Sequence, residues 1–276
     1  MFIRLGYDVA LSCAQPTEFV SLLDVHPDCA EQVRAQSDLH TAPAVETTVY
    51  LDSYGNACRR LSVPAGELRL SRDVVVEHSG APDPVDPGAR EVPVHDLPGE
   101  ILEFLLPSRY CETDLMMDLA WREFGALAPG WDRVQAIFGY AHRRLTFGYA
   151  FARATRTAAQ AHEERVGVCR DFAHLAVTLC RCMNIPARYA NGYMGDIGVP
   201  ADPAPMDFNA WCEVYLEDRW FTLDARHNHP RIGRVVVARG RDAADVPLLH
   251  SFGPHRLKSF KVWTFEQDMP HLTALP

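Results

Sequence analysis

Cys169 lies in the stretch GVCRDF, where a loop meets the start of a predicted helix. Because the thiolate and not the thiol attacks a carbonyl carbon, a catalytic cysteine needs its charged form stabilised. The free N–H groups and the dipole of a helix N-terminus supply part of that stabilisation, and Gly167 permits a tight backbone approach at the corner. The alternative is a buried structural thiol, since free cysteine is among the most buried residue types. Position alone leaves both interpretations open.

Three further residues of the same predicted helix carry reactive groups. His174 follows Cys169 by five positions, so the two side chains point ~140° apart and His174 is a poor base for that thiol. Cys180 and Cys182 form a Cys-x-Cys pair, but a zinc site would need a second pair or a histidine cluster at ligand spacing. We interpret both as core thiols, and the sequence predicts no metal and no cofactor.

Residues 206–231 read as a β-hairpin that could supply the other catalytic groups. The run NAWCEVYL is rich in strand-forming residues, Glu217 and Asp218 supply a turn, and RWFTLD returns. With a two-residue loop, position 209 lies opposite position 226, and Asn209 and Asp224 share one face as diagonal neighbours. A slip of one residue in the register would change this placement.

Four motifs in this order resemble the bacterial transglutaminase-like family: the Gly-x-Cys helix start, then LCRCMNIPAR, AWxEVYL and WFTLD. Members of that family have a papain-like fold with a Cys-His-Asp triad. The resemblance covers roughly residues 105–265, and the first eighty residues resemble the β domain that often precedes this module in bacterial members. It implies an acyl-transferase, amidase or peptidase that acts on an amide of a protein or peptide through a cysteine thioester.

The resemblance assigns Cys169 as the nucleophile and Asp224 as the orienting carboxylate. The family histidine precedes Ala-Trp, and that position is Asn209 here. Asparagine cannot take a proton at neutral pH, so the triad lacks its base. Three alternatives stay open. His227 serves as the base if a loop frees it from the strand, or Cys169 is activated only by the helix dipole and Asn209. In the third, the chain is a catalytically impaired pseudoenzyme whose cleft binds a protein or peptide.

Two charged residues flank this hairpin face. Asp207 lies two residues before Asn209 on the same strand face, and we interpret it as a solvated carboxylate at the start of the strand. Arg226 lies two residues after Asp224 and is a candidate ion-pair partner for that carboxylate.

The pattern along the chain predicts an α+β protein, with a papain-like transglutaminase core of helices and antiparallel sheet after an all-β N-terminal domain. Apolar residues alternate with other residues at the N-terminus, a period of two that is typical of a strand. Residues 79–100 then contain five prolines and three glycines, which favour an extended linker. We predict a β domain over 1–80, a linker over 81–104 and a transglutaminase-like domain over 105–276.

Composition narrows the class of partner and the compartment. The net charge of -9 argues against nucleic acid as a partner, and the longest apolar runs are too short to span a membrane. The N-terminus reads as a strand and not as a signal peptide. Eight cysteines without framework spacing indicate reduced thiols, so a cytoplasmic location is expected. The sequence leaves the oligomeric state open.

Overall fold

The structure is a computed structural model that describes residues 1–272 of the chain. In this part, four α-helices follow a run of strands and precede another. The helices are α1 (Thr113–Phe124), α2 (Trp131–Arg144), α3 (Ala158–Glu164) and α4 (Cys169–Cys182). The strands are β1 (Phe2–Cys13), β2 (Thr17–Ser21), β3 (Val33–Gln36), β4 (His40–Ala42), β5 (Thr47–Leu51), β6 (Ala57–Val63), β7 (Gly66–Glu77), β8 (Thr146–Phe147), β9 (Val166–Gly167), β10 (Ala187–Tyr193), β11 (Asn209–Leu216), β12 (Arg219–Leu223), β13 (Val235–Gly240), β14 (Leu249–Ser251) and β15 (His255–Gln267).

The N-terminal strands form two sheets. One has the order β15-β1-β7-β3 with β4 also paired to β7, and the other has the order β14-β2-β6-β5. The alternation in the first strand has the expected result, because its apolar side chains are buried: Ile3, Leu5, Tyr7, Val9 and Leu11. This strand-rich region agrees with the predicted all-β N-terminal part.

The last two strands of the described chain return to these N-terminal sheets. β15 pairs with β1 over nearly its whole length, and β14 pairs with β2. The division into 1–80, 81–104 and 105–276 stays a prediction, and residues 273–276 of its last part lie outside the described residues. β15 therefore completes the first sheet at the edge that β1 offers.

Helix α4 occupies the centre of the second half of the molecule. The other three helices and strands β10 and β11 pack against it, and every residue from Asp171 to Cys182 is buried. The helix ends before Pro186, and Asn184 has a φ of 60°, a left-handed conformation that asparagine tolerates. Helices packed on the antiparallel sheet β12-β11-β10-β13 confirm the predicted α+β class.

The hairpin of β11 and β12 has the predicted register. Leu216 pairs with Arg219 and Cys212 pairs with Leu223. The two loop residues, Glu217 and Asp218, have φ values of 49° and 58°, as a two-residue type I′ turn requires. Since β12 ends at Leu223, Asp224 and the residues after it lie outside the ladder.

Candidate active site

The corner before Cys169 is held by a buried carboxylate. Asp171 accepts a hydrogen bond from the Val168 N–H at 2.9 Å and another from the Arg156 guanidinium at 3.0 Å. A Cβ at Gly167 would lie 2.6 Å from the Cβ of Asp171, so only glycine fits there without a shift. These contacts place Cys169 in the first turn of α4, where backbone N–H groups lack partners within the helix.

Cys169 is half-buried on the wall of a cavity of about 620 Å³, which Asn209 also lines. Burial raises the pKa of the thiol to about 11, although Arg226 and a hydrogen bond from the Ala210 backbone lower it. The carboxylate of Asp207 adds to the upward shift of the pKa. At neutral pH the residue is therefore a neutral thiol, and a base must remove its proton before it can attack.

Asp224 is buried, and both of its carboxylate oxygens have several partners. Oδ1 accepts from the backbone N–H groups of Arg226 at 2.8 Å and His227 at 3.1 Å. Oδ2 lies 2.8 Å from His227 Nδ1 and accepts from Arg234 Nη2, also at 2.8 Å. Burial alone would raise the pKa of Asp224, but Arg234 and His227 outweigh it and hold the pKa well below its usual range. The group is an ionised carboxylate that fixes the orientation of His227.

Asn209 begins strand β11, and its hydrogen bonds go to other residues than Asp224. Its Nδ2 donates to the Asp207 carbonyl at 3.2 Å, and its Oδ1 accepts from Arg226 Nη1 at 3.2 Å. The Arg226 guanidinium also lies over the Phe147 ring, 3.6 Å from its centroid. Asn209 and Asp224 were expected to be diagonal neighbours on one face, but no hydrogen bond joins their side chains in the described part of the chain. The position assigned to the family histidine is thus bonded to an arginine.

A second cavity, of about 70 Å³, is also lined by Asn209. Its lining is mostly polar and includes His227, Arg226, Asp207 and Asn209. Asp207 and Asn209 line the larger cavity as well, so the two side chains form a shared wall. The structure brings Cys169 and Asn209 together on one cavity and Asn209 and His227 together on the other. Neither cavity is lined by both Cys169 and His227.

Within residues 1–272, no group of three or more His, Cys, Asp and Glu side chains is arranged to hold a metal ion. None of the helices that the structure describes has both the length and the apolar character needed to cross a bilayer.

Comparison with known proteins identifies a family model that matches part of this chain. Residues 122–225 match the model of the transglutaminase-like superfamily. A crystal structure from Cytophaga hutchinsonii, of a protein described as a candidate cysteine protease, covers 98% of this chain and 91% of its own, with 29% identity and a TM-score of 0.84. This chain carries a transglutaminase-like core.

Relatives of this chain occur in mycobacteria. An uncharacterized protein of Mycobacterium tuberculosis is 29% identical over 232 residues, which are 75% of this chain and 72% of that protein. An uncharacterized protein of Mycobacterium leprae is 24% identical over 221 residues, 76% of this chain and 77% of the relative.

The matched segment contains three of the four site residues assigned from the sequence, namely Cys169, Asn209 and Asp224. His227 lies two residues beyond its end. The turn after β12 nevertheless brings His227 back onto Asp224, with its Nδ1 on the carboxylate and its Nε2 left for another partner. His227 was expected to act as the base only if a loop of this kind freed it from the strand.

Two charged residues of the transglutaminase-like core differ from their interpretation in the sequence. The Arg226 side chain does not pair with Asp224, because it turns toward Asn209, and Arg234 forms that ion pair instead. Asp207 is not a solvated carboxylate: it is half-buried, and burial raises its pKa. Arg234 had no local signal, since it lies ten residues after its partner and outside the hairpin.

Proposed function

We propose that this protein is a cysteine-dependent acyl-transferase or amidase that attacks an amide of a protein or peptide substrate through Cys169. One observation carries the proposal: Cys169 opens helix α4 on the wall of the larger cavity, with the Arg226 charge and the Ala210 backbone acting on its sulfur. A helix N-terminus and a nearby cation are the features that stabilise a thiolate.

The chemistry follows from this placement. The sulfur forms a bond to the substrate carbonyl carbon, the C–N bond then breaks, and the proton taken from the thiol leaves with the amine. Water or a second amine displaces the sulfur from the resulting thioester, which gives hydrolysis or cross-linking respectively. The free N–H groups in the first turn of α4 are suited to stabilise the oxyanion that forms in both steps.

We propose His227 as the base for this step. Asp224 binds its Nδ1, which leaves Nε2 as the proton acceptor, the role that an orienting carboxylate gives to an imidazole. The small polar cavity beside His227 has room for water, and proton transfer through one water is a known route. Asp207 lines both cavities, and we propose that its carboxylate passes the proton from Cys169 toward His227.

The base is tested by a pair of histidine variants. His227→Ala should lose most of the turnover of a p-nitrophenyl ester, by about a hundredfold, because general base catalysis is worth that much or more. His229→Ala is the matched control, since His229 is exposed and contacts the carbonyl of Pro230 rather than Asp224. Equal turnover in the two variants would remove His227 from the mechanism.

A second candidate function is non-catalytic binding of a protein or peptide in the same cleft. The raised pKa of Cys169 favours it, because it leaves the resting thiol neutral, and Asn209 on the same cavity cannot take the proton. Alkylation by iodoacetamide near neutral pH distinguishes the two functions. Cys29 is the reference thiol, being half-buried with a pKa that burial also raises. If Cys169 reacts no faster than Cys29, the binding function replaces the catalytic one.

The thiols also support a proposal for the compartment. All eight cysteines are free, which favours a reducing environment and hence the cytoplasm. The net charge of -9 supports a protein or peptide substrate and not a nucleic acid.

A further inference from the structure

The larger cavity extends from Cys169 to a wall whose residues lie outside the segment 122–225 that matches the transglutaminase-like model. Four apolar side chains of the first N-terminal sheet line it there: Val9 and Leu11 on β1, and Leu257 and Phe260 on β15. The first and last strands of the described chain therefore form part of the surface that faces the thiol.

A β-bulge places these side chains on one face. Ala10 pairs with Ser259 and Leu11 pairs with Leu257, so Lys258 has no partner on β1. In a regular strand, positions 257 and 260 would point to opposite faces, since side chains alternate. The extra residue reverses the alternation, as bulges do beside functional sites, and aligns Leu257 with Phe260 opposite Leu11 and Val9.

The cavity also has a buried acceptor on its lining. Asn191 is 5% exposed and lines this cavity, and its Nδ2 donates to the Val246 carbonyl at 3.1 Å. Its Oδ1 has no hydrogen-bond partner among residues 1–272. A buried acceptor without a partner is costly, and an N–H group of a bound molecule would satisfy it.

We propose that this cavity binds the substrate residue next to the scissile amide and selects a large apolar side chain there. The side chain packs against Leu257, Phe260 and their partners on β1, and the backbone N–H of the same residue donates to Asn191 Oδ1. The proposal rests on the proposed function, because it takes Cys169 as the atom that the amide must reach. In this proposal, the N-terminal sheet forms the part of the binding pocket that selects the substrate side chain.

Specificity is tested with two p-nitrophenyl esters, of N-acetylleucine and of N-acetylglycine. The wild-type protein should prefer the leucine ester in kcat/KM by about tenfold or more, because an apolar pocket discriminates by that amount for a few methylene groups. Leu257→Lys should reduce this ratio to near one. Leu257 is 55% exposed, so the substitution is compatible with the fold. The same ratio in Leu257→Lys as in the wild type would overturn the proposal.

Leu51→Lys is the matched control. Leu51 is 62% exposed on β5 and does not line the cavity, so this variant should keep the preference for the leucine ester. A loss of preference in Leu51→Lys equal to that in Leu257→Lys would show a general effect of charge and would also overturn the proposal.

Binding without catalysis separates this inference from the proposed function. In NMR spectra of the Cys169→Ala protein, the chemical shifts of methyl groups on the cavity wall should change when N-acetylleucinamide is added. Methyl groups elsewhere should not change, and Leu257→Lys should abolish the effect. If this binding occurs but no ester acylates Cys169, the pocket stands and the catalytic proposal fails. If esters acylate Cys169 without preference and the amide does not bind, the pocket is overturned while the nucleophile stands.

Discussion

Arg226 donates a hydrogen bond from Nη1 to Asn209 Oδ1 at 3.2 Å, so the position assigned to the family histidine is bonded to a permanent cation. An arginine can stabilise a thiolate but cannot take its proton, because its pKa is above the physiological range. The site thus divides between two residues what an imidazole does alone: Arg226 provides the positive charge, and His227 is the proposed proton acceptor. His227 lines the smaller cavity together with Asn209.

The charge of Arg226 should control the ionisation of Cys169. Arg226→Gln removes an influence that lowers the pKa of the thiol, so the pKa should rise further above about 11. Below that pH the thiolate fraction changes tenfold for each pKa unit, and alkylation should slow by about three- to tenfold at pH 9. The measurement is the pH profile of iodoacetamide reaction at Cys169. Arg226→Lys keeps the charge and should keep most of the rate; an equal loss in both variants would contradict the electrostatic role.

Restoring the imidazole should activate the thiol. Asn209→His places a base on the cavity that Cys169 lines, and an adjacent imidazolium lowers a cysteine pKa. We expect alkylation of Cys169 at pH 7 to increase by about tenfold or more, with its pH profile moved to lower pH. Asn209→Gln keeps the amide and should give no gain. A rate in Asn209→His no higher than in Asn209→Gln would show that position 209 does not face the sulfur.

The carboxylate of Asp224 should stabilise the fold through Arg234. Asp224→Asn leaves the buried Arg234 charge with Asp83 as its one remaining ion-pair partner among residues 1–272, and breaking a buried pair costs about 3–5 kcal/mol of unfolding free energy. The exposed ion pair of Asp86 and Arg219 is the control, because Asp86→Asn should lower the unfolding free energy by less than about 1 kcal/mol. Urea denaturation measures both, and similar losses in the two variants would contradict the prediction.

The same group predicts how stability depends on pH. The folded pKa of Asp224 lies below its unfolded value of about 3.9, so its contribution is complete above that pH and declines as the pH falls toward the folded pKa. The wild-type protein should therefore lose more unfolding free energy than Asp224→Asn between pH 5 and pH 3. Urea denaturation at several pH values measures this. An equal loss of unfolding free energy in the two proteins between pH 5 and pH 3 would refute the prediction.

The loop-to-helix corner should tolerate no side chain at Gly167. Gly167→Ala places a Cβ 2.6 Å from the Cβ of Asp171 and should cost about 1–3 kcal/mol of unfolding free energy, because buried overpacking forces shifts of that cost. It should also slow alkylation of Cys169 by moving the helix start. Gly99→Ala is the control, since a Cβ there meets no atom within 4 Å. Thermal or urea unfolding compares the two, and an unchanged stability in Gly167→Ala would be inconsistent with the fixed corner.

Local patterns in the sequence were sufficient to predict much of the fold. The period of two at the N-terminus gives a strand with its apolar side chains buried, and the two-residue loop at Glu217 and Asp218 sets the hairpin register. Both depend on interactions between residues a few positions apart, so composition and spacing determine them. The start of α4 at Cys169 is a boundary of the same local kind.

The arrangement of the site depends on tertiary contacts that local sequence patterns do not predict. His227 reaches Asp224 because the chain turns after β12, where the carboxylate accepts from two backbone N–H groups and Asn228 has a φ of 55°. The ion pair with Arg234 joins Asp224 to a separate segment. The apolar wall depends on the pairing of β1 with β15 and on Lys258, which has no partner on β1 and reverses the alternation expected of a regular strand.

The central claim is that Cys169 is the nucleophile, and acylation by p-nitrophenyl acetate tests it most directly. Peptide mapping by mass spectrometry after a short exposure should find the acetyl group on Cys169 well before it appears on Cys29, the other half-buried thiol. Nitrophenolate release should show a burst that Cys169→Ala abolishes. Acetylation of Cys29 as fast as Cys169, or a burst that persists in Cys169→Ala, would contradict the account.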